Sequence, residues 1–241
     1  MAIVTTTPIV ALDVSSADEA MKIVGSLGDR CRFYKVGSEL FTAEGPSVVK
    51  HVRNAGCDVF LDLKLHDIPN TVRGAARSAA ALGVRLLTVH ASGGSAMIAA
   101  AVEGAGDRVG ILAVTVLTSF DDTSLAEATG RSDVAVTEEV ARLASLAERA
   151  HAHGVVCSGV EARNIQQQFG ERLAVLVPGI RMSGGAAHDQ RRVVTPSEAA
   201  AAGARYIVVG RAVTAAADPR AAMDGVLREL GTPSASLAER S

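Results

Sequence analysis

The sequence has no tryptophan, and its two tyrosines and five phenylalanines make aromatic residues only 3% of the chain. Apolar residues nevertheless account for 48% of the 241 residues, so the core must be built mainly from alanine, valine, leucine and isoleucine. Such small aliphatic side chains suit helices that pack closely on parallel strands. The length and composition therefore predict one domain with a large aliphatic core.

The chain also lacks a strong net charge and a long apolar run. Its formal net charge of −2 provides no basic field for nucleic acid or for an anionic membrane surface. Charged residues or glycines interrupt every apolar stretch, and residues 1–7 contain neither a basic region nor an apolar leader segment. We therefore expect a cytoplasmic protein that binds a small molecule, with no nucleic-acid or membrane partner.

Cysteine is scarce, and the three cysteines do not form a metal-binding or disulfide pattern. Cys31, Cys57 and Cys157 are odd in number and far apart in the sequence. His151 and His153 lie two residues apart, which places them on different faces of a helix. We predict buried, unreactive thiols and no metal site.

Runs rich in β-branched residues alternate with alanine-rich segments of helical apolar spacing. Eight strands are predicted, at 9–14, 32–38, 59–66, 85–90, 109–117, 155–157, 174–177 and 206–209. Helix starts are predicted at serines or prolines, namely Ser16, Pro46, Pro69 and Ser197. Helix ends are predicted at glycines that can adopt a left-handed conformation, namely Gly28, Gly56, Gly83 and Gly154.

Eight buried strands joined by crossover helices close most economically into a barrel. We predict an α/β fold, a single-domain (β/α)8 TIM barrel at 1–230, with a doubly wound open sheet as the alternative. Residues 231–241 are polar and are predicted to form a C-terminal tail. Two long loops, 118–133 after strand five and 181–196 after strand seven, are candidates for a lid over a ligand.

The most informative segment is the predicted third strand and the turn that follows it, VFLDLKLHDIPNT at 59–71. Strand alternation places Asp62, Lys64 and His66 on one face and leucines on the other. A parallel barrel strand has helices outside and packed side chains inside. The charged face must therefore point into the barrel mouth, where ions persist only if they are paired.

Three further charged residues extend this pattern to neighbouring strands. Asp13 ends the predicted first strand, Lys35 lies in the second, and Asp67 follows the third. Asp67 alone could cap the next helix, and the other two alone could form structural ion pairs. Charges of alternating sign that converge on the C-terminal mouth of a barrel are better explained as an active site.

The run DLKLHDIPNT at 62–71 resembles the signature of the orotidine 5'-phosphate decarboxylase family. Other segments resemble that family in order and spacing over nearly the whole chain, namely 11–13, 35–37, 89–91, 117–119, 178–181 and 209–211. The resemblance implies conversion of orotidine 5'-monophosphate to uridine 5'-monophosphate and CO2 in pyrimidine biosynthesis, with no cofactor.

The resemblance also implies roles for the charged residues. Loss of CO2 leaves an electron pair orthogonal to the ring π system, and the cationic Lys64 would stabilise this carbanion and then protonate C6. Asp62 would hold Lys64 beside the departing carboxylate, and Lys35 and Asp67 would complete the array, with both carboxylates ionised. Asp67 reaches into the partner subunit's site in this family, so a homodimer is implied.

Substrate binding is predicted at the mouth of the barrel. Gly210 and Arg211 follow strand eight, where barrels commonly build a phosphate site. The resemblance adds ribose contacts, a residue that reads the pyrimidine edge and lid residues. The predicted set is Asp13, Lys35, Asp62, Ile68, Thr71, Thr118, Arg181, Gln190, Gly210 and Arg211.

Two other functions compete with this interpretation. Metal-dependent sugar-phosphate decarboxylases or aldolases of the same barrel superfamily also resemble the Asp-x-Lys-x-x-Asp pattern, but they need an acidic metal ligand in strand two, where this chain has Lys35. A non-catalytic barrel that senses pyrimidine nucleotides would keep a phosphate site around Arg211. Such a protein would not need Lys64 between two carboxylates.

Overall fold

The computed structural model describes residues 5–182 and 194–231. Eight parallel strands close into a barrel in chain order, and the first strand pairs with the last. The strands are β1 (Thr7–Leu12), β2 (Phe33–Gly37), β3 (Asp58–Leu65), β4 (Leu86–His90), β5 (Gly110–Val114), β6 (Gly154–Val156), β7 (Ala174–Val177) and β8 (Tyr206–Val209). The predicted (β/α)8 barrel is confirmed, and the pairing of β1 with β8 excludes the open sheet.

Helices connect the strands and cover the outside of the barrel. The described α-helices are α1 (Ala17–Leu27), α2 (Ser38–Glu44), α3 (Pro46–Asn54), α4 (Pro69–Ala81), α5 (Gly94–Ala105), α6 (Asp122–Thr129), α7 (Val136–Arg149), α8 (Gly159–Phe169), α9 (Pro196–Ala201), α10 (Arg211–Thr214) and α11 (Pro219–Glu229). Within the described ranges, no helix is both long enough and apolar enough to span a membrane.

Strand residues two apart share a face, and this alternation divides the core. One buried cluster consists of strand residues alone, including Phe33 and Phe60, and fills the barrel interior. A larger cluster lies between the strands and the helices. Lys35 and Asp62 share their faces with these two phenylalanines, so both charged side chains point into the barrel.

All three cysteines are buried, as predicted. Burial in the aliphatic core raises the pKa of the Cys31 thiol to about 11, because the charged thiolate loses its hydration there. The thiol is therefore protonated at neutral pH.

The prediction of a helix end at Gly154 is wrong. Gly154 is the first residue of β6, and the residue that adopts a left-handed conformation after α7 is His151, with φ of 55°. Glycine is required at 154 for a different reason: a Cβ there would lie 2.1 Å from the carbonyl oxygen of Ala174 on the neighbouring strand. The other predicted helix-end glycines, at 28, 56 and 83, do have positive φ.

The sequence predicted a long loop at 118–133, but the structure shows that part of this segment is helical. It contains α6, where Asp121 and Ser124 form a capping box. The carboxylate of Asp122 accepts a hydrogen bond of 2.8 Å from the backbone N–H of Val136 and ties α6 to α7. The second lid candidate, 181–196, falls largely on residues 183–193, which lie outside the described ranges, as do residues 232–241 of the predicted tail.

The predicted helix start at Ser197 is confirmed, because Ser197 lies in the first turn of α9. Thr195 caps this helix by accepting a hydrogen bond from the backbone N–H of Glu198, and Pro196 is its first residue. The preset φ of proline favours the first helical position, so the helix begins at Pro196.

Candidate active site

The third strand is irregular where its charged residues begin. Leu61 pairs with Leu87 and Leu65 with Val89, so β3 contains extra residues relative to β4 over this interval. Lys64 lies inside this bulge with φ of 50°, and its backbone N–H donates a 2.9 Å hydrogen bond to Thr88 Oγ1. A left-handed backbone costs a residue with a Cβ about 1–2 kcal/mol. The bulge changes the direction of the Lys64 side chain relative to a regular strand.

Four charged side chains form a row of alternating sign, from the residue that follows β1 across β2 to β3. Lys64 Nζ donates to both carboxylate oxygens of Asp62, at 2.8 and 2.9 Å. Lys35 Nζ lies 3.7 Å from Asp62 Oδ2 and donates a hydrogen bond to Asp13 Oδ1 at 2.8 Å. The order along the row is therefore Asp13, Lys35, Asp62, Lys64. The side chain of Asp62 is only 12% exposed, so this row extends below the protein surface.

The environment of Asp62 favours its ionised form. Burial by itself raises the pKa of this carboxyl, but the positive charges of Lys35 and Lys64 and the hydrogen bonds from Lys64 and Thr88 outweigh burial. The pKa of Asp62 is consequently lower than its ordinary value. A charged Asp62 in turn provides the counterion for both ammonium groups.

Thr88 also belongs to this candidate site, although the sequence patterns did not single it out. Its hydroxyl is fully buried and donates to Asp62 Oδ1 at 2.9 Å while it accepts the Lys64 backbone N–H. It therefore holds both members of the central ion pair. The signal was present in the sequence, because Thr88 is the polar residue within the apolar run Leu86 to Val89.

The charged row borders a cavity of about 440 Å³ at the carboxyl ends of the strands. This volume suits a small molecule. Apolar side chains such as Phe60 and Val208 line part of it, and its ionic lining has four cationic side chains against two carboxylates. These six residues are Asp13, Lys35, Asp62, Lys64, Arg181 and Arg211. The excess of positive charge favours an anionic ligand.

Two further predicted residues, Thr118 and Gly210, also line this cavity. Among the residues that the structure describes, none accepts a hydrogen bond from the buried Nε of Arg181, whereas its Nη1 donates to the carbonyl oxygen of Ile180 at 3.0 Å. A buried guanidinium N–H without a partner is costly, and an anion in the cavity could supply the missing acceptor.

Other predicted residues do not reach the cavity of their own chain. Asp67, Ile68 and Thr71 are exposed and absent from its lining. Asp67 does not cap α4, because the cap position is Ile68, whose backbone N–H donates to Asp67 Oδ1 at 2.6 Å. Gln190 lies outside the described ranges.

His66 and His90 lie together beside the charged row, with ring centroids 5.4 Å apart. Burial, followed by electrostatic interactions with the neighbouring His66 and Lys64, lowers the pKa of His90. A neutral His90 adds no further positive charge next to Lys64 at neutral pH.

Comparison with known proteins identifies the family of this chain. A family model described as orotidine 5'-phosphate decarboxylase / HUMPS family matches residues 6–226. The chain belongs to this family. The prediction of an orotidine 5'-phosphate decarboxylase family member, and of an enzyme of the carboxy-lyase class, is thereby confirmed.

Individual members of the orotidine 5'-phosphate decarboxylase family are similar to this chain over nearly their full length. The protein of that name from Cutibacterium acnes is 49% identical over 224 residues, which cover 92% of this chain and 94% of the relative. The one from Anaeromyxobacter sp. strain K is 51% identical over 212 residues, covering 88% and 92%. The crystal structure of orotidine 5'-phosphate decarboxylase from Lactobacillus acidophilus superposes with a TM-score of 0.83 at 39% identity, covering 94% of this chain and all of that one.

Proposed function

We propose that this chain decarboxylates orotidine 5'-monophosphate to uridine 5'-monophosphate and CO2, as a cytoplasmic step of pyrimidine biosynthesis that needs no metal or organic cofactor. The observation on which this rests is the row of Asp13, Lys35, Asp62 and Lys64 along one wall of the cavity. The names of the similar proteins support the same reaction.

The charge of the cavity agrees with this substrate. Orotidine 5'-monophosphate has a phosphate at one end and a carboxylate at the other, and the lining has four cationic side chains against two carboxylates. Arg211 and the Gly210 backbone, after β8, are positioned to bind the phosphate, together with Arg181. Binding energy from this end of the substrate would hold C6 beside Lys64.

Lys64 performs the chemical step in this mechanism. The bond between C6 and the carboxylate breaks, CO2 leaves, and the bonding electrons remain on C6. The Lys64 ammonium stabilises this carbanion and then transfers a proton to C6, which gives the product and a neutral amine. Asp62 positions Lys64 through two hydrogen bonds before the substrate arrives, so little reorganisation is needed during the reaction.

Asp62 also affects the substrate directly. An ionised Asp62 beside the substrate carboxylate places two negative charges close together, and this repulsion is relieved when CO2 departs. Lys35 stays paired with Asp13 at the far side of Asp62, so that Asp62 keeps a counterion while Lys64 contacts the substrate.

We further propose that the active form is a homodimer in which Asp67 enters the partner's cavity. Asp67, Ile68 and Thr71 are exposed in a single chain and lie outside its own cavity. Ile68 is 67% exposed, which is unusual for a large apolar side chain at the edge of an active site and agrees with burial by a partner. A shared site of this kind makes activity depend on assembly.

The competing metal-dependent reaction is disfavoured by the residues themselves. Lys35 occupies the strand position where a metal ligand would be required, and its ammonium lies 3.7 Å from Asp62. Both oxygens of Asp62 already accept hydrogen bonds from Lys64. A divalent cation at Asp62 would meet two ammonium groups.

The loss of orotidine 5'-monophosphate absorbance with purified protein in EDTA tests this function, with Lys64→Ala measured beside it. We expect EDTA-resistant turnover that falls by several orders of magnitude in the variant. Turnover that appears only with Mg²⁺ and a sugar phosphate would assign the chain to the metal-dependent reaction. Binding of uridine 5'-monophosphate without any wild-type turnover would indicate a sensor.

A further inference from the structure

A second charged cavity lies at the opposite end of the barrel, where the strands begin. Its volume is about 410 Å³, and its ionisable lining includes Arg85, Arg108, His151, His153, Arg205 and Tyr206. A neighbouring cavity of about 460 Å³ shares two of these residues, His153 and Arg205. We call this shared point, defined by His153 and Arg205, the basal junction.

Three contacts fix the histidine at the basal junction. A Cβ on Gly110 would lie 2.9 Å from His153 Cγ, so the absence of a side chain at the start of β5 lets the imidazole lie against the strand. His153 Nε2 is 3.2 Å from the hydroxyl of the buried Tyr206, and their ring centroids are 6.0 Å apart. The ring is held in place although part of it remains accessible from the cavity.

Positive charge accumulates around this histidine. Partial desolvation, followed by the charges of Arg205 and Arg85, lowers the pKa of His153. Arg85 is paired with Asp58, whereas Arg205 forms no ion pair with any residue in the described ranges. Arg108, on the wall of the same cavity, also has no ion-pair partner there. The junction therefore has positive charge that described carboxylates leave uncompensated.

Two carboxylates also border these cavities, Asp107 in one and Glu171 in the other. The charged groups that act on the His153 imidazole are nevertheless the two arginines.

We propose that the basal junction binds the phosphate group of a small metabolite. The guanidinium of Arg205 can hold two phosphate oxygens through parallel N–H donors, and the accessible His153 ring can gain a proton when the anion arrives. A cavity of about 410 Å³ has room for a molecule larger than free phosphate. This site lies at the end of the barrel opposite the active site and does not depend on the function proposed above.

Histidine ring resonances in NMR spectra provide a test that separates the two ends of the molecule. His151 and His153 report on the basal junction, and His66 and His90 report on the active-site mouth. His153 would be assigned with His153→Gln. The protein would be titrated with inorganic phosphate and with uridine 5'-monophosphate, using sodium chloride at matched ionic strength as the control.

We expect phosphate to move the His153 resonances saturably and to raise the pKa of that ring. In Arg205→Gln the apparent dissociation constant for this change should rise by about tenfold or more. The matched control is Arg77→Gln, at an exposed arginine on α4, and it should leave the His153 titration unchanged. Arg108→Gln provides an independent variant and should also weaken the response.

The two ligands distinguish free from esterified phosphate. Saturation at lower concentration with uridine 5'-monophosphate would indicate that the site takes an organic phosphate, and saturation at lower concentration with inorganic phosphate would indicate that the phosphate group alone is recognised. A His153 response that chloride reproduces, or one that neither Arg205→Gln nor Arg108→Gln weakens, would overturn the proposal.

Discussion

Lys64 combines a left-handed backbone with a side chain whose ammonium contacts both oxygens of Asp62. A regular strand conformation would avoid the cost of positive φ but would aim the side chain differently. The hydrogen bond from its N–H to Thr88 and the two from its Nζ to Asp62 hold the residue in this conformation. Backbone strain at a functional residue persists where surrounding contacts enforce it.

The strain at Lys64 should be visible in unfolding experiments. An alanine at 64 keeps the unfavourable left-handed backbone, which costs about 1–2 kcal/mol. A glycine avoids this cost, although it adds about 0.5–1 kcal/mol of backbone entropy. We therefore expect Lys64→Gly to be as stable as Lys64→Ala, or more stable by up to about 1 kcal/mol, in urea unfolding.

Lys35 provides the control, because it lies in a strand without positive φ. There the glycine variant should be less stable than the alanine variant by about 1 kcal/mol. If the glycine variant is less stable than the alanine variant at both positions, Lys64 is not strained in solution.

Asp62→Asn should destabilise the protein in a pH-dependent way. The variant leaves two ammonium groups facing each other without their shared counterion, and we expect a loss of about 1–3 kcal/mol near pH 7. The folded pKa of Asp62 lies below the ordinary value of 3.8, so its ionisation stabilises the folded state above that pH. This contribution disappears as the pH falls through the folded pKa.

The measurement is the free energy of unfolding by urea for wild type and Asp62→Asn between pH 7 and pH 3. The difference between the two proteins should be largest at the upper end of this range and should shrink below about pH 4. A difference that stays constant over the whole range would contradict the assigned role of the Asp62 charge.

At the scale of elements, α4 and α5 pack unusually closely. A Cβ at Gly104 on α5 would lie 2.2 Å from the carbonyl oxygen of Arg73 on α4. Because the nearest atom belongs to the backbone, it cannot move aside as a flexible side chain could. The absence of a side chain at 104 therefore sets the distance between the two helices that follow β3 and β4.

Two glycine-to-alanine variants on these helices should have opposite effects. Gly104→Ala should lower the free energy of unfolding by about 1–3 kcal/mol, because the added methyl group forces α4 and α5 apart. Gly74→Ala on α4 meets no atom within 4 Å, so it should stabilise by up to about 1 kcal/mol through helix propensity. Thermal unfolding of both variants checks this. Stabilisation in both would mean that the helices are not in close contact.

At the scale of the whole molecule, the two ends of the barrel differ in chemistry. The carboxyl ends of the strands hold the alternating row of charges, whereas at the basal junction Arg205 forms no ion pair with any described residue. Barrels place catalytic residues at the carboxyl ends of their strands, and residues at the other end usually serve stability. The proposed phosphate site would add ligand binding at this basal end.

Subunit mixing tests whether the active site is shared between two chains. Lys64→Ala and Asp67→Ala should each be inactive alone, because each removes one member of every site. In heterodimers formed from both variants, one of the two sites regains a wild-type Lys64 and a wild-type Asp67. Co-expression at equal levels should therefore restore about one quarter of the wild-type activity.

Heterodimers can be isolated with a different affinity tag on each chain, and their activity compared with that of each homodimer. Recovery in the heterodimer requires Asp67 to act across the interface. If the isolated heterodimer is as inactive as its parents, Asp67 acts within its own chain or not at all.

Much of this protein was predictable from short-range patterns in its sequence. The alternation of strand and helix patterns implied eight βα units, and alternation within 59–66 placed Asp62 among inward-facing residues. The resemblance of 62–71 to one family implied the enzyme class. The inferences about strands and inward-facing residues succeed because side-chain alternation and helical periodicity are local properties of the backbone.

Other features depended on contacts between residues far apart in the sequence. Thr88 becomes important only because β4 lies beside β3, and the need for glycine at 154 arises from a carbonyl group on β7. The bulge at Lys64 and the basal junction likewise depend on neighbouring strands. The sequence by itself determined the barrel and its inward charges, because local periodicity encodes them, and its motifs indicated the family by resemblance. Only the tertiary structure decided the ion-pair geometry and the close contacts, because these depend on which strands become neighbours.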